Sequence, residues 1–126
     1  MIGGDRRNNL YDKAIEFSKK IVFLYRELEN RKVEKELSKQ LLRCGTSIGA
    51  NISEAQGSIS EADYVSKIHI AFKELIETRY WLELLYNTAD IKELEFNEMN
   101  EKYSELSKIL YTIIKNIRQK RSNPKT

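Results

Sequence analysis

Hydrophobic residues recur along this chain in alternating steps of three and four. From about Asn9 to Asn30, Leu10, Ala14, Phe17, Ile21, Leu24 and Leu28 keep that rhythm. Such spacing stacks side chains on one face of an α-helix, a seam that must meet a partner. A second seam, from about Glu34 to Gln56, is Leu37, Leu41, Cys44, Ile48, Ile52 and Ala55. A third, from about Glu61 to Ala89, is Tyr64, Ile68, Ala71, Leu75, Thr78, Leu82, Leu85 and Ala89. A fourth, from about Glu95 to Arg121, is Phe96, Met99, Tyr103, Leu106, Leu110, Ile113 and Ile117.

The breaks between these segments are short: Asn30 to Val33, Gly57 to Ser60 and Asp90 to Leu94. Short links between long helices place neighbours antiparallel. The pattern therefore predicts an all-α fold, an antiparallel up-down-up-down four-helix bundle over residues 9–121. Residues 1–8 and 122–126 are expected to be flexible ends. Composition agrees with this reading. The chain has 126 residues, one proline (Pro124) and five glycines, which fits one domain that is almost entirely helical.

Apolar residues also fall outside the seams. The third segment adds Ile70, Ile76, Tyr80, Trp81, Leu84 and Tyr86, and the fourth adds Ile109, Tyr111 and Ile114. A helix that is apolar over most of its circumference needs more than one partner. The surplus points to self-association, with Ile70, Tyr80, Trp81 and Tyr86 as the candidate contacts.

The stretch CGTSIGANISEAQGSISEADY sets Gly45, Gly49, Ser53 and Gly57 four residues apart. A phosphate-cradling loop would need a preceding strand, and a Walker-type loop would also need a Gly-Lys-Ser/Thr ending. The preceding residues have helical period, and no lysine lies between Cys44 and Tyr64. Spacing of four stacks the small residues on one helix ridge instead. An interior glycine costs about 0.8–1 kcal/mol relative to alanine, so Gly45 and Gly49 call for close packing as compensation. Gly57 suits a left-handed helix stop. Ser60 suits the next N-cap, with Asp63 three residues on and an Ile59–Tyr64 staple; Ser58 with Glu61 is the alternative box. Asn51 and Glu54 are expected to be register-setting polar groups that meet Glu74, Glu77 or Arg79 across the hairpin.

Candidate chemistry is sparse. His69 is the only histidine and Cys44 the only cysteine. A di-iron bundle would want paired Glu-x-x-His motifs, yet Ser66 stands three residues before His69. No nucleophile is matched to a base, so no catalysis, cofactor, metal or small-molecule substrate is expected. One cysteine and no signal peptide place the expectation in a reducing cytoplasm. No apolar run approaches the roughly 20 residues of a membrane span. Charge is uneven: Asp90 to Glu105 holds six acidic and two basic residues, whereas Lys115, Arg118, Lys120, Arg121 and Lys125 close the chain without an acid. Basic residues there complement a helix C-terminus. Lys115, Arg118, Lys120 and Arg121 are also the candidate contacts to RNA or DNA phosphates.

At Gln40-Leu41, and then at Ser47, Ile48, Ala50, Asn51, Ile52 and Glu54, the chain resembles a bacterial four-helix-bundle family. That family was first recognised in proteins encoded by intervening sequences of 23S ribosomal RNA genes. The resemblance spans roughly residues 10 to 120 and extends through AFKELIETRYWLELL. Gly49 stands where the family often has proline, Ala55 where glycine is usual and Ser58 where a basic residue is common. The resemblance implies a ring-shaped homo-oligomer, with a pentamer favoured, and no enzymatic activity. Retroelement accessory proteins that work with a reverse transcriptase look like relatives. By that analogy, the alternative to a binding or scaffolding protein is a nucleic-acid-binding accessory factor.

Overall fold

A computed structural model describes residues 6–122, with side chains from Asn9 onward. It contains four helices: α1 Arg6–Asn30, α2 Lys35–Gln56, α3 Glu61–Asn87 and α4 Glu93–Ser122. No strand occurs among the described residues. Two helices run further than the apolar period indicated. Helical backbone begins at Arg6 and continues through Ser122, so those parts of the expected flexible ends are helical. Residues 1–5 and 123–126 lie outside the described residues.

The helix ends show how short links turn the chain. At the end of α1, Lys32 adopts φ 60°. Its N–H donates to the Glu29 carbonyl, and the Val33 N–H donates to Leu28. At the end of α3, Ala89 adopts φ 62°, with Ala89 N–H to Tyr86 and Asp90 N–H to Leu85. Both are Schellman stops, and neither uses glycine. A left-handed residue with a Cβ costs about 1–2 kcal/mol. Burial of the apolar residue just beyond, Val33 in one turn and Ile91 in the other, offsets that cost. Ala89 is therefore an exposed turn residue and not part of the α3 seam.

Gly57 departs from expectation in the opposite sense. Its φ is −98°, so the left-handed stop assigned to it is not formed. The turn is instead closed by Gly57 N–H to Glu54 and Ser58 N–H to Ala55, the tighter three-residue pattern. Ser60 does cap α3, its hydroxyl accepting from the Asp63 N–H at 3.0 Å. The Ile59–Tyr64 staple is absent, because Ile59 is 96% exposed while Tyr64 packs on the core. The Ser58 hydroxyl donates back to the Glu54 carbonyl and does not cap with Glu61.

One hydrophobic cluster joins all four helices. The α1 seam is buried throughout, and so are Leu41 to Ala55 of α2 and Ile68 to Leu85 of α3 at the expected positions. In α4 the seam follows Leu106, Leu110 and Ile114; Ile113 and Ile117 are only partly buried. The last step is thus four residues where three was expected. α1 packs on α2 and α4, and α3 packs on α2 and α4, while among the described residues no Cα atoms of α1 and α3 approach within 8 Å, so those two helices sit diagonally. Along α1, Lys13 reaches Glu105 and Arg31 reaches Glu95 of α4. Along α3, Glu61 pairs with Lys120 and Arg79 with Asn100 of α4. In each pair of helices the partners run in opposite sequence order.

Candidate interaction surfaces

The small-residue ridge faces α1. A Cβ on Gly45 would lie 2.7 Å from Ile21 Cγ2 and 2.9 Å from its Cγ1. A Cβ on Gly49 would lie 3.1 Å from Ser18 Oγ and 3.7 Å from the Ala14 carbonyl oxygen. Gly45 and Gly49 are therefore helix contacts and not a ligand cradle. The ridge stops there, since Ser53 and Gly57 are exposed.

Asn51 and Glu54 do not meet the partners expected of them. The Asn51 amide donates within α2, to the Ser47 carbonyl at 2.9 Å and the Ser47 hydroxyl at 3.1 Å. Glu54 does cross the hairpin, but to Lys67 at 2.8 Å. The reason lies in axial height: Arg43 and Glu54 share a face of α2 about three turns apart, and it is Arg43 that stands level with Glu74 at 3.4 Å and Glu77 at 2.7 Å. The Trp81 indole also donates to Glu77 at 3.0 Å. That donor, with Arg43, holds the Glu77 carboxyl below the ordinary carboxylate range. Arg79 is turned the other way, toward α4. It donates to Asn100 at 2.6 Å and to Glu83 at 2.6 Å, and its guanidinium lies over the rings of Phe96 and Tyr103.

The four candidate oligomer contacts divide. Tyr80 is 58% exposed and Ile70 37%. Trp81 and Tyr86 are partly buried and pack on the core. Tyr86 stacks on Phe96 at 4.9 Å. Five helical positions separate Trp81 from Tyr86, about 140° of rotation, so one flanks α2 and the other α4. They do not form a single patch. Exposed apolar residues that the seams did not single out lie elsewhere: Ile15 and Phe23 on α1, and Leu94 on α4. The signal for the α1 pair was present, because Ile15 and Phe23 lie outside that helix's core row. Ile76 and Tyr111, noted as surplus, are also exposed. No such residue occurs on α2.

Lys115, Arg118, Lys120 and Arg121 are all exposed. Lys120 lies 3.7 Å from Glu61, with both side chains well solvated. The other three make no ion pair among the described residues. At the opposite end of α4, a groove of about 230 Å³ opens against α1 beside Phe23, Met99 and Glu98.

Cys44 is fully buried, with Thr78 Oγ1 3.2 Å from its sulfur. Burial pushes the thiol up to about 11, which keeps it protonated and unreactive. Among the described residues no group of three or more His, Cys, Asp or Glu side chains is placed to hold a metal ion. Likewise, no helix there is long and apolar enough to cross a membrane.

No protein of curated function is detectably similar to this chain. Among solved structures, one of a Bacteroides thetaiotaomicron VPI-5482 protein, described as having unknown function and as coming from the S23 ribosomal protein family, matches at 47% sequence identity. The superposition has a TM-score of 0.84 and covers 87% of this chain and 98% of that one. The family model for the 23S rRNA-intervening sequence protein matches residues 6–112. By both sequence and fold, the chain belongs to the 23S rRNA-intervening sequence protein family.

Proposed function

We propose that this chain is a non-enzymatic up-down-up-down bundle that self-assembles into a ring and acts as a cytoplasmic binding or scaffolding protein. The opposite running order of helix partners supports the topology. The observation that carries self-assembly is exposed apolar surface on a fold whose core is already complete. Tyr80, Ile76 and Phe23 are each about half exposed or more, although one hydrophobic cluster already closes all four helices. Contiguous exposed apolar side chains mark contact surfaces, and Ile76 and Tyr80 lie one turn apart on α3. The pentamer is favoured by the family resemblance. Light scattering across a hundredfold concentration range tests the reading: a constant mass of several chains supports it, and a protomer at every concentration removes it.

A second reading rests on the basic end of α4. Lys115, Arg118 and Arg121 are solvated and without carboxylate partners among the described residues. Copies standing side by side would multiply that charge on one rim, suited to RNA or DNA phosphates. Retention on structured RNA that falls with rising salt, and is lost in Arg118→Glu/Arg121→Glu, supports it. No retention at about 50 mM salt rejects it.

A further inference from the structure

The outward face of α3 has the same spacing read from either end. Lys73, Ile76, Tyr80 and Glu83 stand three, four and three residues apart, and all four are exposed. That spacing keeps them on one stripe of the helix, about 15 Å long at 1.5 Å per residue. The buried row from Val65 to Leu85 lies on the other side. Two apolar residues occupy the middle of the stripe, Ile76 at 49% and Tyr80 at 58% exposure. The Tyr80 ring is held edge-on against Trp81, with ring centroids 5.0 Å apart. Opposite charges occupy the ends. Lys73 makes no ion pair among the described residues, and Arg79 takes only the Oε1 oxygen of Glu83.

Lys73 and Glu83 are equally far in sequence from Thr78, and so are Ile76 and Tyr80. A second copy laid antiparallel on this stripe, about a two-fold axis level with Thr78, therefore brings Lys73 to Glu83 and Ile76 to Tyr80, each pair twice. All these heights are counted along one helix. Spacing of three and four is also the seam on which two helices interlock. A parallel copy would set ammonium against ammonium and carboxylate against carboxylate, which charge complementarity forbids. Sliding the antiparallel copy by one layer would set Ile76 against Lys73 or against Asn87. Charge and apolar pattern together select one direction and one register.

We infer that α3 docks antiparallel on α3 of a second copy, a two-fold contact with Ile76 and Tyr80 at its centre and Lys73–Glu83 pairs at its rim. A face that pairs with itself stops at two copies, whereas a ring needs two unlike faces. The contact is therefore additional to the ring proposed above: it joins copies two by two and does not require that reading.

The test mixes purified Ile76→Cys and Tyr80→Cys chains under mild oxidation; buried Cys44 does not compete. The mixture should give a disulfide-linked pair at several times the yield of either chain alone, because only unlike positions come within bonding distance. No linked pair in the mixture, or equal linking in each chain alone, overturns the inference. The ring is judged separately, by the light-scattering mass of the unmodified chain, so either proposal can fail by itself. Charge reversal gives an independent readout. Lys73→Glu or Glu83→Lys, carried on both cysteine chains, should each cut the linked yield several-fold, and the two reversals combined should restore it. A combined variant no better than the singles overturns the inference.

Discussion

Helix α1 is held on its two sides by different physics. Against α2 it packs backbone to side chain: Gly45 admits Ile21 so closely that a single added carbon would collide. Against α4 it is bridged by long polar side chains, Lys13 to Glu105 and Arg31 to Glu95, with an open groove beside Phe23 between them. The first contact tolerates no added volume but is indifferent to pH and salt. The second tolerates volume and depends on ionisation. One helix can thus be closely packed on one side and leave an open groove on the other.

The sharpest way to break this comparison is Gly45→Leu. Ile21 is fully buried and cannot withdraw, so overpacking should cost at least about 1–3 kcal/mol. The urea midpoint measures it, and an unchanged midpoint would mean that the two helices separate freely. On the polar side, Arg31→Ala removes a forked pair with Glu95 at 3.0 and 2.6 Å and a bond to the Asp90 carbonyl at 2.9 Å. A partly exposed pair of this kind contributes about 1 kcal/mol or less. Arg31 holds the Glu95 carboxyl below its ordinary range. A carboxylate lowered on folding stabilises above its unfolded pKa, roughly 4.3, and that gain fades as pH falls through the lowered value. The gap between the original chain and Arg31→Ala should therefore be full at pH 7 and shrink below about pH 4, as denaturant midpoints at the two pH values would show. A constant gap would assign the loss to packing.

Gly49→Ala should be the mildest change on the tight side. Its Cβ meets a serine hydroxyl at 3.1 Å, and the gain in helix propensity of about 0.8–1 kcal/mol offsets the displacement of Ser18. Thermal melting should move little in either direction. Cys44 reports which side opens. With the thiol pushed up to about 11, alkylation at pH 8 should be very slow in the original chain and in Arg31→Ala, and faster in Gly45→Leu. Equal rates in all three would show that the α1–α2 contact does not protect α2.

Much of this was legible in the sequence because it is periodic. The four seams, the Ser60 cap and the close approach at Gly45 and Gly49 follow from spacing and from residues with one strong physical preference. The helix stops were less legible. Gly57 looked like the left-handed stop, whereas Lys32 and Ala89 take that conformation, because burying Val33 and Ile91 outweighs the penalty of a Cβ. The α4 seam slipped from Ile113 to Ile114, since adjacent isoleucines carry no signal about which one faces inward. The partners of Asn51 and Glu54 were misplaced for a related reason. Periodicity fixes which face a side chain is on, but not which of several cations or carboxylates on the next helix lies within reach.

The sequence by itself determined four helices, most of their core rows and the family, because these depend on local period and motif. The tertiary structure alone decided that α1 and α3 are diagonal and that Arg43, rather than Asn51 or Glu54, meets Glu77. It also decided that Trp81 and Tyr86 face different neighbours. Those facts depend on the axial register between helices, which is set by packing of the whole core and written in no single segment.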